Sequence, residues 1–252
     1  MDLELKDRVA IVTGGAAGIG GAVARTLAAE GCVVCIADRD AAAAEKMAGT
    51  LTEAGHRTQA AAVDVADADA VAAAFKDIHR RHGRLDILVN AAGLLSTGTV
   101  AELPAAEWER VCRVNLSGVL YCSKAAIPFM TAQKHGRIVN IASVSAARGG
   151  GSFGNTLYGT TKAGVVALTM GMARELGPYQ VTVNAVSPAV TDTPMTRALL
   201  NEEVKQRIVS RIPLGRLADV ADVADLVAFL ASARASFISG VVVPVDGGIL
   251  TT

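Results

Sequence analysis

A chain of 252 residues that is 51% hydrophobic can fill a substantial core, and its length admits one large domain or two small ones. Its 24 basic and 24 acidic residues cancel, which argues against a dedicated nucleic-acid binder or a polybasic membrane binder, since both need a basic excess. The four cysteines include one C-x-x-C, Cys32 and Cys35, with no second pair to complete a zinc site, so no metal is expected.

The N-terminus, MDLELKDRVA, is charged and lacks an apolar signal core, and no run of about 18 apolar residues follows; a cytoplasmic location without a membrane span is expected. The first apolar run, RVAIV at 8–12, reads as a strand, and VTGGAAGIGGAVARTLAAEG leads from it through a glycine-rich turn into a helix. CVVCIA at 32–37 is the second strand. Positions i and i+3 of a strand face opposite sides, so Cys32 and Cys35 point apart and pack in the core. TQAAAV at 58–63 is the third. Val71, Ala74, Phe75 and Ile78 then keep the i, i+3, i+4, i+7 spacing of an amphipathic helix. That helix closes in HRRHGR, a solvated basic end that complements the helix dipole. LDILV at 85–89, GRIVNI at 136–141, VTVNAV at 181–186 and VVVPV at 241–245 complete a set of seven strands.

Most of these runs are continuous rather than alternating, as in strands covered on both faces. Strand–helix repetition predicts a three-layer α/β domain, a mainly parallel sheet with helices on both faces and right-handed crossovers. No linker or second composition zone interrupts it, so 1–252 is read as one domain. Pro244 cannot donate to a ladder, which sends the last strand to a sheet edge. The helix expected at 157–176, LYGTTKAGVVALTMGMAREL, is apolar or small on nearly every face. It is read as covered by its own sheet on one side and by another subunit on the other, making the protein a homo-oligomer, a dimer or tetramer.

Two stretches carry chemistry. Gly14, Gly18 and Gly20 form T-G-x-x-x-G-x-G between a strand and a helix, where glycines let backbone N–H groups approach a diphosphate and the helix N-terminus adds its positive dipole end. Asp38 ends the second strand; a carboxylate there accepts hydrogen bonds from both hydroxyls of an adenosine ribose and repels a 2′-phosphate. NAD is therefore expected over NADP, although the neighbouring Arg39 is what a 2′-phosphate would want. Tyr158 and Lys162 lie one helical turn apart, on one face. A free phenol titrates near 10, and a cation beside it favours the phenolate, so this pair is expected to act as a tuned proton acceptor and donor.

Taken together the landmarks identify a resemblance. TGGAAGIG at 13–20, DV at 64–65, NAAG at 90–93, Asn115 in VNLSG, Ser143 in NIAS, YGTTK at 158–162, NAVSP at 184–188 and VDGG at 245–248 follow one another as in the compact single-domain branch of the short-chain dehydrogenase/reductase family. The resemblance spans nearly the whole chain and implies a Rossmann-type, doubly wound sheet. It makes Tyr158 the catalytic acid/base, with Lys162 also binding the nicotinamide ribose and Ser143 hydrogen-bonding the substrate oxygen. Asn115 anchors a water chain to solvent. Ile19, Asn90, Ala91 and Gly93 join the glycines in the cofactor cleft, Asp64 and Val65 flank adenine, and Pro188, Thr191 and Thr193 hold the carboxamide. Ser145 rivals Ser143, because many relatives place the serine about thirteen residues before the tyrosine; Ser143 is preferred because it follows the strand-end pattern NIA directly. Ala189 stands where the family often has glycine, and NAAG replaces the frequent N-N-A-G.

Substrate contacts are expected from loops at about 94–103, 146–157 and 189–215, whose Leu94, Leu95, Phe153, Leu157, Met195 and Leu199 favour a mainly apolar pocket for a small secondary alcohol or ketone. Arg148 and Arg197 are their notable charges; Arg148 is read as a solvated loop cation, with pairing to an acidic substrate as the alternative. Residues 194–213 are read as a lid. The expected activity is hydride transfer between NAD(H) and a secondary alcohol or ketone. An NADPH-dependent ketoreductase of the 3-oxoacyl carrier type is the alternative, and a non-catalytic dinucleotide sensor a distant third.

Overall fold

The computed structural model describes residues 2–251. In chain order its elements are β1 (Val9–Thr13), α1 (Gly18–Ala29), β2 (Val33–Asp38), α2 (Ala41–Glu53), β3 (Arg57–Ala62), α3 (Ala68–His82), β4 (Ile87–Asn90), α4 (Ala105–Cys112), α5 (Gly118–Gln133), β5 (Gly136–Ile141), α6 (Ser145–Arg148), α7 (Thr156–Leu176), β6 (Val181–Pro188), α8 (Pro194–Arg197), α9 (Glu202–Val209), α10 (Val220–Ala231) and β7 (Val242–Val245). The seven strands form one sheet in the order β3-β2-β1-β4-β5-β6-β7, and every pairing is parallel. This is the doubly wound arrangement, with β7, and so Pro244, at an edge as its missing donor requires.

Side-chain alternation along the strands divides the core in two. Ala10, Val12, Val34, Ile36 and Val139 face α1, α2 and α10, packing against Leu27, Ala44, Leu51 and Val227. Val9, Ile11, Leu88, Ile138 and Val183 face α3, α5 and α7, packing against Phe75, Ile78, Met130 and Met172. Cys32 lies in the first layer and Cys35 in the second, so the thiols do point apart, and burial pushes each up to about 12.

Local chemistry sets the helix ends. Asp40 accepts from Ala43 N at 3.0 Å to cap α2, and Asp67 accepts from Asp69 N and Ala70 N to cap α3. Gly83 ends α3 in the left-handed region at φ 71°, after His79, Arg80, Arg81 and His82 in the last turn. Between α4 and α5 the chain makes a π-turn, Arg113–Ser117. Such bulges gather at functional sites, and this one carries Asn115. Among the described residues no helix is long and apolar enough to cross a membrane.

The strand order reverses between β1 and β4, and loops leaving neighbouring strands there diverge to opposite faces of the sheet. That divergence opens a crevice beyond their C-terminal ends.

Candidate active site

The crevice holds a cleft of about 350 Å³ lined by Gly14, Gly18, Gly20, Asp38, Asp64 and Lys162, among others. The glycines form a real cradle. A Cβ on Gly20 would fall on the carbonyl oxygen of Gly14, and one on Gly14 would come within 2.8 Å of the Ala92 backbone. Thr13 closes the other wall: its Oγ1 accepts from Ala91 N at 3.1 Å and Ala92 N at 3.3 Å, tying the loop after β4 to the end of β1. Asp38 is held at its strand end by Ala16 N at 3.3 Å and Asp40 N at 3.1 Å. A turn stripped of side chains before a helix N-terminus, with a fixed carboxylate across the cleft, fits the diphosphate and ribose of a dinucleotide.

A second cleft of about 330 Å³ adjoins the first, and the two share Ile19, Ile141, Tyr158, Thr193 and Met195 as lining. Tyr158 therefore stands at their seam. Its helix is started by Asn155, which accepts from Tyr158 N at 3.0 Å and donates through Nδ2 to Ser96 Oγ and Thr97 O at 3.1 Å each. One side chain thus caps α7 and binds the loop after β4 to it.

Lys162 Nζ donates to Ile141 O at 2.7 Å and lies 5.7 Å from the centre of the Tyr158 ring. Burial governs both groups. It pushes the Tyr158 phenol up to about 12, opposed only by a hydrogen bond with Ser143, and pushes Lys162 down to about 8. The expected lowering of the phenol by Lys162 is thus not what this geometry produces: the cation is turned to a backbone carbonyl, and desolvation outweighs it. Ser143 Oγ also accepts from Ser145 N at 3.1 Å. Both serines line the second cleft, but it is Ser143 that bonds Tyr158.

A match to a profile described as enoyl-(acyl carrier protein) reductase covers residues 14–250. A meso-2,3-butanediol dehydrogenase of Serratia marcescens is 39% identical over 98% of this chain and 96% of its own. A 3-oxoacyl-acyl-carrier-protein reductase of Aquifex aeolicus is 38% identical over 99% of this chain and 100% of its own. The chain belongs to the short-chain dehydrogenase/reductase family. The crystal structure of another member, a gluconate 5-dehydrogenase from Burkholderia cenocepacia J2315 in complex with NADP and tartrate, matches with a TM-score of 0.95 at 32% identity, covering 100% of this chain and 98% of that one.

Within this short-chain dehydrogenase/reductase, Gly14, Gly18, Ile19, Gly20, Asp38, Asp64, Val65, Ala91, Gly93, Tyr158, Lys162 and Thr193 all line the first cleft, where the sequence puts them. Asn90 does not. It is the last residue of β4 and its side chain turns away from the cleft, donating through Nδ2 to Asn140 Oδ1 at 2.8 Å and Ser123 Oγ at 3.3 Å inside the core. Pro188 and Thr191 line the second cleft instead of the first, because β6 runs on to Pro188 and carries the following residues past the seam. Asn115 lines neither cleft. Its Oδ1 accepts from Leu94 N at 2.7 Å, and its Nδ2 donates to Leu94 O at 2.9 Å and Thr161 Oγ1 at 3.2 Å, while Thr161 donates to Tyr158 O at 2.9 Å. The side chain is a clamp between the loop after β4 and α7.

The three expected loop segments all reach the second cleft, through Leu95, Arg148, Phe153, Val190 and Met195. Leu94 lines the first cleft, Leu157 is buried in the first turn of α7, and Arg197 pairs with Asp192 at 2.8 Å outside both. Sequence reasoning missed Arg211, which lines the second cleft.

Proposed function

We propose that this protein transfers a hydride between NAD(H) and a secondary alcohol or its ketone, with Tyr158 as general acid/base. The position of Tyr158, at the seam of a dinucleotide-sized cleft and a separate substrate-sized cleft, carries this reading. The bound dinucleotide supplies or accepts the hydride. In the oxidation direction Tyr158 Oη takes the hydroxyl proton, and in reduction it returns one to the ketone oxygen. Ser143, hydrogen-bonded to Tyr158, orients the substrate oxygen and steadies charge developing on it. Lys162, mostly charged at neutral pH with its acidity near 8, keeps a cation behind the phenol. Asn115 positions the loop after β4 against α7. The outward face of α7 exposes Thr160, Ala163, Ala167 and Met170, which supports a homo-oligomer.

Asp38 supports NAD. Its carboxylate is immobilised facing the cleft where a ribose would lie. Arg39, exposed, lines the same cleft and favours the second reading, an NADPH-dependent ketoreductase. Titration with NADH and NADPH, followed by turnover on secondary alcohols and ketones, separates the two. Tighter NADH binding with turnover is expected. NADPH preference would move the assignment to the reductase, and binding without turnover on any panel member would count against the alcohol–ketone assignment. Asp38→Ala should weaken NAD binding by about tenfold or more, the loss of charge-assisted bonds, while NADP binding changes little. Equal losses would defeat the ribose argument.

The raised phenol also sets a pH dependence. At neutral pH Tyr158 holds its proton, the form that reduction needs, while oxidation needs the deprotonated form. Oxidation kcat/KM should therefore climb with pH, approaching about tenfold per unit between about pH 7 and pH 10, while reduction stays flat and then falls. Steady-state rates in both directions check this. An oxidation rate independent of pH would remove Tyr158 from the proton-transfer step.

A further inference from the structure

Among the described residues the second cleft is lined by two cations and no acid. Its charged lining consists of Arg148 and Arg211, and no Asp or Glu joins them. Neither guanidinium has an ion pair or side-chain hydrogen bond among the described residues. Their neighbours in sequence are differently placed: Arg197 is matched by Asp192 at 2.8 Å and Arg216 by Asp222 at 2.6 Å. Acids are therefore at hand in this segment and are engaged elsewhere.

The two arginines share the cleft because of how their segments pack. Arg148 ends α6. Arg211 sits between Ile208 and Ile212, which are 2% and 5% exposed in an apolar cluster with Val144, the residue before α6, and with Ile249. The isoleucines anchor the segment against the root of α6, and Arg211 N donates to Ile208 O at 3.1 Å, fixing the turn. Arg211 is thereby held on the face that looks into the cleft. Two unmatched like charges at one cavity repel each other and raise its positive potential, and a bound anion relieves both effects. A guanidinium fork matches a carboxylate with two parallel hydrogen bonds. Leu95, Phe153, Val190 and Met195 supply apolar wall beside the hydroxyls of Ser145, Ser152, Thr191 and Thr196, and the cleft is at the small end of the range for small-molecule sites.

We propose that the substrate is a small carboxylate, a hydroxy acid or its oxo acid with an apolar carbon body, whose anionic end is held by Arg148 and Arg211 while its carbinol carbon lies at Tyr158. The proposal rests on the reading of Tyr158 given above. In oxidation the carbinol C–H bond breaks and its hydrogen leaves with both electrons to the oxidised dinucleotide. The O–H proton passes to Tyr158 and the C–O bond becomes C=O. The carboxylate is unchanged.

The test uses the full chain with the dinucleotide it prefers, the secondary hydroxyhexanoates, their primary amides and 2-hexanol. The best acid should exceed its own amide in kcat/KM by roughly 10- to 100-fold, the scale of charge-assisted bonding. Arg148→Gln and Arg211→Gln should each cut that acid-to-amide ratio by roughly tenfold, mainly through KM, and Arg211→Lys should restore part of it. An acid-to-amide ratio near one, a preference for 2-hexanol, or ratios unchanged in both glutamine variants would overturn the proposal and make the arginines solvated loop cations. If no member turns over, calorimetric titration of the acids and amides into the dinucleotide-loaded protein decides: acid binding lost in the glutamine variants sustains the anion site, and no acid binding overturns it. Failure of the Tyr158 reading is separate, because turnover surviving in Tyr158→Phe with the acid-to-amide ratio intact would defeat the proton-transfer assignment and leave the anion site standing.

Discussion

Tyr158→Phe should lower turnover in both directions by about 10²–10⁴-fold, the range lost when a positioned acid/base is removed, while dinucleotide affinity stays within about threefold. The substitution deletes one oxygen and keeps the ring. The ring is what packs: a Cβ on Gly154 would overlap it, and the phenyl ring of the variant fills the same space. Lys162 does not depend on the hydroxyl for its position, since its Nζ is held by Ile141 O at 2.7 Å. The glycine turn, Asp38 and the loop after β4 are untouched. Loss of the hydroxyl also frees Ser143, which keeps its bond from Ser145 N at 3.1 Å. The alkaline rise of the oxidation rate should vanish with the oxygen. Steady-state rates across pH and fluorescence titration of reduced dinucleotide read the two effects separately. Turnover within about tenfold of the parent would put the proton transfer on another group, with Ser143 the nearest.

The parts of this molecule that follow local rules were legible in the order of its residues. Continuous apolar runs marked strands whose ends fall within two residues of those seen, because strand formation and two-sided burial are written in consecutive residues. The opposed thiols of Cys32 and Cys35 and the edge position of Pro244 followed from pleat geometry and a missing donor. What misled was side-chain direction at strand ends. Asn90 and Ala91 are adjacent, yet one joins Asn140 in the core and the other lines the cleft. The motif NAAG contains both and does not say where the pleat stops. The motif VNLSG singles out Asn115, but its clamp depends on a π-turn with no evident residue signature and on Leu94 and Thr161, 21 and 46 positions away. Arg211 was hidden for a similar reason. Its direction is set by Ile208 and Ile212 docking on Val144, a contact across more than sixty positions that no window of sequence displays.

Gly20→Ala should cost about a hundredfold or more in dinucleotide affinity, roughly 3 kcal/mol, with the fold retained. The added methyl carbon would sit on the Gly14 carbonyl oxygen and 2.8 Å from its carbon, and both are backbone. Gly14 has no room to retreat. It is in the left-handed region at φ 62°, and the space where its own Cβ would go lies 2.8 Å from Ala92 Cα and 2.9 Å from Ala92 N. Ala92 in turn is bound to Thr13 at the end of β1. Backbone thus presses on backbone from α1 through the turn to the loop after β4, and relief requires the cradle itself to open. Because the cost is concentrated at the turn, far-ultraviolet circular dichroism should be unchanged while fluorescence titration loses saturable binding. Gly49→Ala is the control. It lies exposed in α2, where a Cβ meets nothing within 4 Å, and should stabilise by about 0.5–1 kcal/mol, roughly 1–4 °C in Tm, with affinity unaltered. If Gly20→Ala bound dinucleotide as tightly as Gly49→Ala, the glycine turn would not be the diphosphate cradle, and the first cleft would need another ligand.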